Sequence, residues 1–131
     1  MTAASLEHVN LTVPDPRKTA QMLCDLFDWK IRWEGRTQLG GYTVHVGSKD
    51  AYLAIYTPPE NASGPAPAAK APGETTGGLN HVGVTVDDLD AVERKVVAAG
   101  FEPFEHGDYE PGRRFYFFDH DRIEFEVVSY A

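Results

Sequence analysis

The chain carries one short pattern twice: H-V-N-L-T-V-P-D from His8 and H-V-G-V-T-V-D-D from His81. Moving the second copy back by 73 residues lays His81 on His8, Val82 on Val9, Thr85 on Thr12, Val86 on Val13 and Asp88 on Asp15. Such a duplication restricts the fold to two similar modules, because each copy must satisfy its backbone hydrogen bonds in the same way. Within the first copy, alternation puts Val9, Leu11 and Val13 on one face of a strand and His8, Asn10 and Thr12 on the other. His81, Gly83 and Thr85 repeat that polar face.

An acidic turn and a helical stretch follow each strand. Asp15-Pro16 reads as an N-cap and first helical residue, with Thr19, Met22, Leu23, Leu26 and Phe27 at helical spacing and an end near Asp28. In the second half Asp88 is the cap, Leu89, Val92, Val96 and Ala99 form the buried stripe, and Gly100 is the stop. Cys24 lies beside the first stripe as a core or near-core thiol. Three extended runs then follow in each half: 29–33, 42–46 and 51–56, against 101–104, 115–118 and 123–128. The unit is β-α-β-β-β, twice, which makes the fold class α+β. An offset of 72 pairs Val44 with Tyr116, Leu53 with Phe125 and Ala54 with Glu126, and it sets His45 against Phe117, on the face opposite Tyr116. Module 1 is expected over about 5–57 and module 2 over about 79–130, joined by a Pro-, Ala- and Gly-rich linker over about 58–78.

A length of 131 residues fits one domain. With a single cysteine and an opening M-T-A-A-S-L-E-H that has neither a charged nor an apolar leader segment, the expected compartment is the cytoplasm. The apolar runs are strand-sized, so no membrane span is expected. A net charge of −8 opposes a nucleic-acid partner, whose affinity would need clustered Lys and Arg. Small neutral, aromatic or cationic ligands remain.

A catalytic divalent metal needs a few fixed nitrogen or carboxylate ligands and an open position for water or substrate. His8 and His81 occupy equivalent points on polar strand faces, and the strand I-E-F-E-V-V offers Glu124 or Glu126, which share a face. Alternation does not choose between the two. Two imidazoles and one carboxylate form a set used by non-haem Fe(II) and open also to Mn, Zn or Ni.

The paired modules, the H-V-x-x-T-V segments and the closing R-R-F-Y-F-F-D-H-D-R-I-E-F-E-V-V resemble the vicinal oxygen chelate superfamily, over essentially the whole chain outside the linker. That superfamily includes glyoxalases, extradiol dioxygenases, fosfomycin-inactivating thiol transferases and bleomycin-binding proteins. The resemblance implies a cupped mixed sheet with helices on its outer face. The family's closing segment commonly reads Y-F-x-D-P-D-G-x-x-I-E-L, and counting from Asp119 places its glutamate at Glu126. His120 and Arg122 stand where that pattern has proline and glycine, while Ala54 stands where four-ligand glyoxalases carry a carboxylate. The implied metal site is therefore His8, His81 and Glu126, with Fe(II) favoured over Mn, Zn or Ni.

This ligand set resembles extradiol dioxygenases and the thiol transferases, both of which place a functional tyrosine where this chain has Tyr116. Asn10, the overall acidic balance and the lack of any basic residue after Arg122 count against phosphonate chemistry. By the same resemblance a second acid/base histidine is expected, His106 in preference to His45. Tyr109, Arg113 and Arg114 in the stretch 107–114 are candidate substrate contacts. The expected function is a metalloenzyme acting on a small molecule, first an extradiol-type dioxygenase, alternatively a glyoxalase-type lyase or isomerase, or a metal-free binding protein. A homodimer is expected from the habit of such relatives.

Overall fold

The computed structural model describes residues 3–38, 40–59, 73–109 and 112–131. The chain divides into two compact units, Met1–Gly64 and Pro65–Ala131. The first contains β1 (His8–Thr12), α1 (Pro16–Phe27), β2 (Lys30–Arg36), β3 (Tyr42–Gly47) and β4 (Tyr52–Thr57). The second repeats the order with β5 (Val82–Thr85), α2 (Leu89–Ala98), β6 (Phe104–Tyr109), β7 (Gly112–Phe118) and β8 (Glu124–Ser129). Their sheets are laid out alike, β1-β4-β3-β2 and β5-β8-β7-β6. In each, the first strand runs parallel to the last and the other pairs are antiparallel. The β-α-β-β-β repeat expected from the sequence is thus present in both halves. Most of the expected linker lies outside the described residues.

Both helices begin where the sequence places their caps. Asp15 accepts from the Lys18 N–H at 3.2 Å and Pro16 opens α1; Asp88 accepts from the Ala91 N–H at 3.0 Å at the start of α2. Each cap satisfies a backbone donor that the helix leaves unpaired. α1 ends at Asp28, held at φ 59° with its N–H on the Cys24 carbonyl, and Gly100 at φ 94° follows α2. Left-handed backbone of this kind ends a helix by turning the chain away from its axis. Ala99, expected on the buried stripe, is exposed, because α2 stops one residue earlier.

One face of each sheet is apolar and helix-covered. α1 packs on β3 and β4, burying Thr19, Leu23 and Leu26 with Val44, Val46 and Ile55 among the fully enclosed side chains. α2 packs on β8, and Phe115, Phe117, Phe125 and Val127 fill that core, with Phe117 and Phe125 stacked at 5.2 Å. Burial of each such aromatic contributes about 2–3 kcal/mol. Thr43, His45, Tyr52 and Ala54 occupy the other face in the first unit, as Arg114, Tyr116, Glu124 and Glu126 do in the second.

Strand register aligns the halves more closely than the sequence does. Val9 lies opposite Leu53 and Asn10 opposite Ala54, while Val82 lies opposite Phe125 and Gly83 opposite Glu126. Ala54 therefore holds the place of Glu126, as the repeat predicts. One strand corrects the alignment: His45 pairs with Ala54 as Tyr116 pairs with Glu126. His45 is thus the counterpart of Tyr116, not of Phe117. The cause is the connection 119–123, one residue longer than its equivalent 48–51, which shifts the offset between β3 and β7.

In the segment 107–114 the described residues are all strand. β6 and β7 pair across it, Asp108 with Arg113 and Tyr109 with Gly112. Gly112 is required there, since an added Cβ would sit 2.3 Å from the Ser129 carbonyl oxygen.

Candidate functional site

In the second unit the residue types needed for chemistry converge on the open face. His81, just before β5, sets Nε2 3.0 Å from Oε1 of Glu126 and Nδ1 3.7 Å from Oε2 of Glu124. The other carboxylate oxygen of Glu126 accepts from Arg114 at 2.8 Å, and both side chains of that pair are nearly enclosed. The Arg114 guanidinium is covered by the Tyr109 ring at 4.7 Å, and its Nε has no partner among the described residues. Tyr116 lies opposite Glu126, edge-on to His81 at 5.8 Å and stacked on Phe104 at 6.0 Å. Burial, reinforced by the neighbouring Glu126 charge, pushes the Tyr116 phenol up. It is a proton holder at neutral pH.

The tautomer of His81 decides what its ring can do. Nδ1 is 2.7 Å from the amide oxygen of Asn80, a contact satisfied when Nδ1 carries the proton. In that neutral tautomer the Nε2 lone pair faces a carboxylate oxygen, so a proton or a cation must lie between them. The first repeat carries the same device: His8 Nδ1 is 2.8 Å from Oε1 of Glu7, also the preceding residue.

An imidazole nitrogen and a carboxylate are donor types that divalent metals accept, and His81 and Glu126 bring one of each within 3.0 Å. Among the described residues no group of three or more His, Cys, Asp or Glu side chains is placed to hold a metal ion.

On the open face of the first unit, His8 and His45 both stack on Tyr52, at 4.9 and 4.6 Å, and Arg32 lies over that ring at 4.5 Å. Trp33 continues the row against His45 at 5.2 Å. Burial, helped by the charges of His8 and Arg32, holds the His45 imidazole below its usual range. Cys24 is half-buried and burial pushes its thiol up, as in a structural cysteine.

Of the residues selected from sequence, His81, Glu126 and Tyr116 come together, with His8 on the matching face of the other unit. His106 does not join them. Its Nε2 contacts Glu93 of α2 at 2.7 Å and its ring lies against Phe115, on the helix-covered side of the sheet. The reason is a bulge. The β6–β7 register slips between Phe104 and Gly107, where Glu105 adopts φ 51°, and an extra residue reverses which face the following side chains take. Arg113 likewise turns to α2, pairing with Asp90 at 3.0 Å. Sequence reasoning missed the Arg114–Glu126 pair and the parity of His45 with Tyr116. Alternation back from Glu126 through a correct β7 register would have found both.

The sequence profile of the Glyoxalase/Bleomycin resistance protein/Dioxygenase superfamily matches residues 5–127. No curated protein sequence matches the chain significantly. Among solved structures, a glyoxylase/bleomycin resistance protein/dioxygenase domain from Frankia sp. EAN1pec is similar at 22% identity and a TM-score of 0.77, covering 98% of each chain. The fosfomycin resistance protein FosX from Listeria monocytogenes, complexed with Mn(II) and sulfate, is similar at 17% identity and a TM-score of 0.71, over 98% of this chain and 93% of FosX. TnmS3, an antibiotic binding protein from Streptomyces sp. CB03234, is similar at 15% identity and a TM-score of 0.71, over 98% of each chain. At these identities the likeness shows the fold.

Proposed function

The chain belongs to the Glyoxalase/Bleomycin resistance protein/Dioxygenase superfamily, and from that premise we propose that it is a small-molecule metalloenzyme whose divalent ion is held by His8, His81 and Glu126. The observation that carries this reading is the 3.0 Å approach of His81 Nε2 to Glu126 Oε1, with both repeat histidines tied through Nδ1 to the residue before them. FosX, which shares the fold, has been crystallised with Mn(II), and Fe(II) is the ion proposed first here. When bound, such an ion supplies Lewis-acid stabilisation of charge developing on adjacent substrate oxygens.

The chain's own groups have separate parts. Arg114 holds Oε2 of Glu126, which leaves Oε1 for the ligand position. Tyr116, protonated through neutral pH, donates a hydrogen bond or a proton to a substrate oxygen. His106 has no part, because it faces α2. The reaction proposed first is extradiol-type cleavage of a catechol-like ring, with O2 as the second substrate. Anaerobic loading with Fe(II) followed by oxygen uptake over a catechol panel tests it, and loaded protein without uptake rejects it. Turnover of a hemithioacetal with Ni or Zn would instead assign glyoxalase-type lyase chemistry. A homodimer belongs to the same proposal, with sedimentation as its check.

One observation favours a second reading. Arg114 already compensates the Glu126 charge at 2.8 Å, so the site also suits a metal-free binding protein that captures a small molecule. Ligand binding that survives in a His8→Ala/His81→Ala double variant separates the two.

A further inference from the structure

The net charge of −8 is unevenly shared. The first unit holds six Lys and Arg against seven Asp and Glu, and the second holds six against thirteen, so an anion at the first unit meets little of the repulsion that the total implies. Within that unit three cations converge on one cleft of about 510 Å³, a size suited to a small molecule. Lys30 and Arg32 come from β2, and Lys49 from the turn that joins β3 to β4. Gly47 keeps that turn tight, since an added Cβ would sit 2.3 Å from the Ala51 carbonyl oxygen, and it pairs with Lys30 across the ladder. Lys49 is thereby brought to the start of β2. All three side chains are exposed. Arg17, Arg113 and Arg114 each hold a carboxylate; among the described residues Lys30, Arg32 and Lys49 pair with none, although Arg32 acts on Glu7 at longer range. The Arg32 guanidinium instead rests 4.5 Å over the Tyr52 ring.

Asp28, at the end of α1, is the one carboxylate in the lining, which leaves the cleft an excess of two positive charges; Asp50, next in the turn, does not line it. A cleft lined by one sign of charge draws and concentrates the opposite sign. A phosphate monoester carries close to two negative charges, so it balances that excess, whereas a monocarboxylate meets only half of it. Arginine offers phosphate a two-pronged donor set and lysine a point charge, and Ser48 in the same lining adds a hydroxyl donor. We infer that this cleft is a binding site for the phosphate group of a small molecule, with Lys30, Arg32 and Lys49 as its cationic contacts. The site is distinct from the proposed metal ligands and does not rest on the metal reading.

The test is calorimetric titration of metal-stripped protein with phenyl phosphate in low-salt buffer at about pH 8, where the ester is a dianion. Metal is removed because a divalent ion would itself take phosphate. Benzoate, with the same ring and a single charge, is the control. The expected result is saturable binding of the ester, at least about tenfold tighter than benzoate and weakening as sodium chloride is raised. Lys30→Gln, Arg32→Gln and Lys49→Gln should each weaken it about three- to tenfold, and Arg32→Lys less than Arg32→Gln. Lys18→Gln removes the same charge at the opposite end of α1 and should leave affinity within about twofold. Asp28→Asn keeps a residue type that tolerates left-handed backbone and should tighten binding about threefold, a gain that misfolding does not produce. Inorganic phosphate, titrated alongside, separates two sources of the group: equal affinity assigns the free ion, weaker affinity assigns a phosphorylated molecule, and either supports the inference. Circular dichroism checks that each variant folds. No saturable binding of phenyl phosphate by the parent protein, equal binding of benzoate, cleft variants that behave like Lys18→Gln, or no gain in Asp28→Asn would overturn it.

Discussion

Asp119 closes the turn that delivers β8, and with it Glu124 and Glu126, to the open face. Its Oδ1 accepts from the backbone N–H groups of Asp121 at 2.8 Å and Ile123 at 2.9 Å, while the main chain of 119 pairs with Ile123 and Arg122. The side chain is 4% exposed and Oδ2 has no partner among the described residues. Asp119→Ala removes both side-chain bonds and leaves two donors behind. At about 1–1.5 kcal/mol for each, the loss should be about 2–3 kcal/mol. Asp119→Asn keeps the Oδ1 acceptor and removes a buried charge, so its effect should stay within about 1 kcal/mol.

The two variants should also differ in pH dependence. Burial raises the Asp119 carboxyl above its ordinary value, against the lowering effect of the two N–H bonds. The folded state then holds this proton more tightly than the unfolded chain does. The resulting stabilisation is fully present below the unfolded value near 4 and is lost as pH rises through the raised folded value. Asp119→Asn has no such loss and should gain on the parent protein as pH rises from about 4 toward 7. Urea denaturation of the three proteins across that range is the assay. An alanine variant as stable as the parent, or an asparagine variant as damaged as the alanine one, would refute the account of this turn.

Other outcomes follow from the same structure. Tyr116→Phe should lower kcat about a hundredfold with little change in stability; because burial raises this phenol, the parent's rate should hold through the ordinary tyrosine range near pH 10 before falling. His106→Gln should leave kcat within about twofold, since the bulge at Glu105 turns this side chain to α2; a hundredfold loss would restore it to the site. Arg122→Gly should be neutral or stabilising by up to about 1 kcal/mol on thermal denaturation, because relief of the left-handed backbone at φ 66° outweighs the contact with Phe118.

Much of this architecture is legible in the sequence because its determinants are local. Asp15-Pro16 and Asp88 mark both helix starts, and alternation separates Phe125 and Val127 from Glu124 and Glu126. The duplicated H-V-x-x-T-V pattern exposes the repeat, and the repeat exposes Ala54 opposite its missing carboxylate partner. What escapes the sequence depends on single-residue slips. The bulge at Glu105 is not marked by a glycine, so nothing local announces the left-handed residue that reverses His106. The extra residue in 119–123 displaces the comparison of β3 with β7, which hides the equivalence of His45 and Tyr116. Alternation within 107–114 does not show that Gly107 pairs with Arg114 across β6 and β7, the register that brings the guanidinium onto Glu126.

The proposed metal site joins two repeat histidines and one unrepeated glutamate. Its most direct measurement is the metal content of stripped protein reloaded anaerobically, in separate samples, with Fe(II), Mn(II), Zn(II) and Ni(II), then desalted and analysed by plasma mass spectrometry. About one ion per chain is expected for the parent protein with at least one of these metals, and stoichiometric retention should be lost in His8→Ala, His81→Ala and Glu126→Gln alike. No retention of any metal by the folded parent protein, or undiminished retention in all three variants, would contradict it.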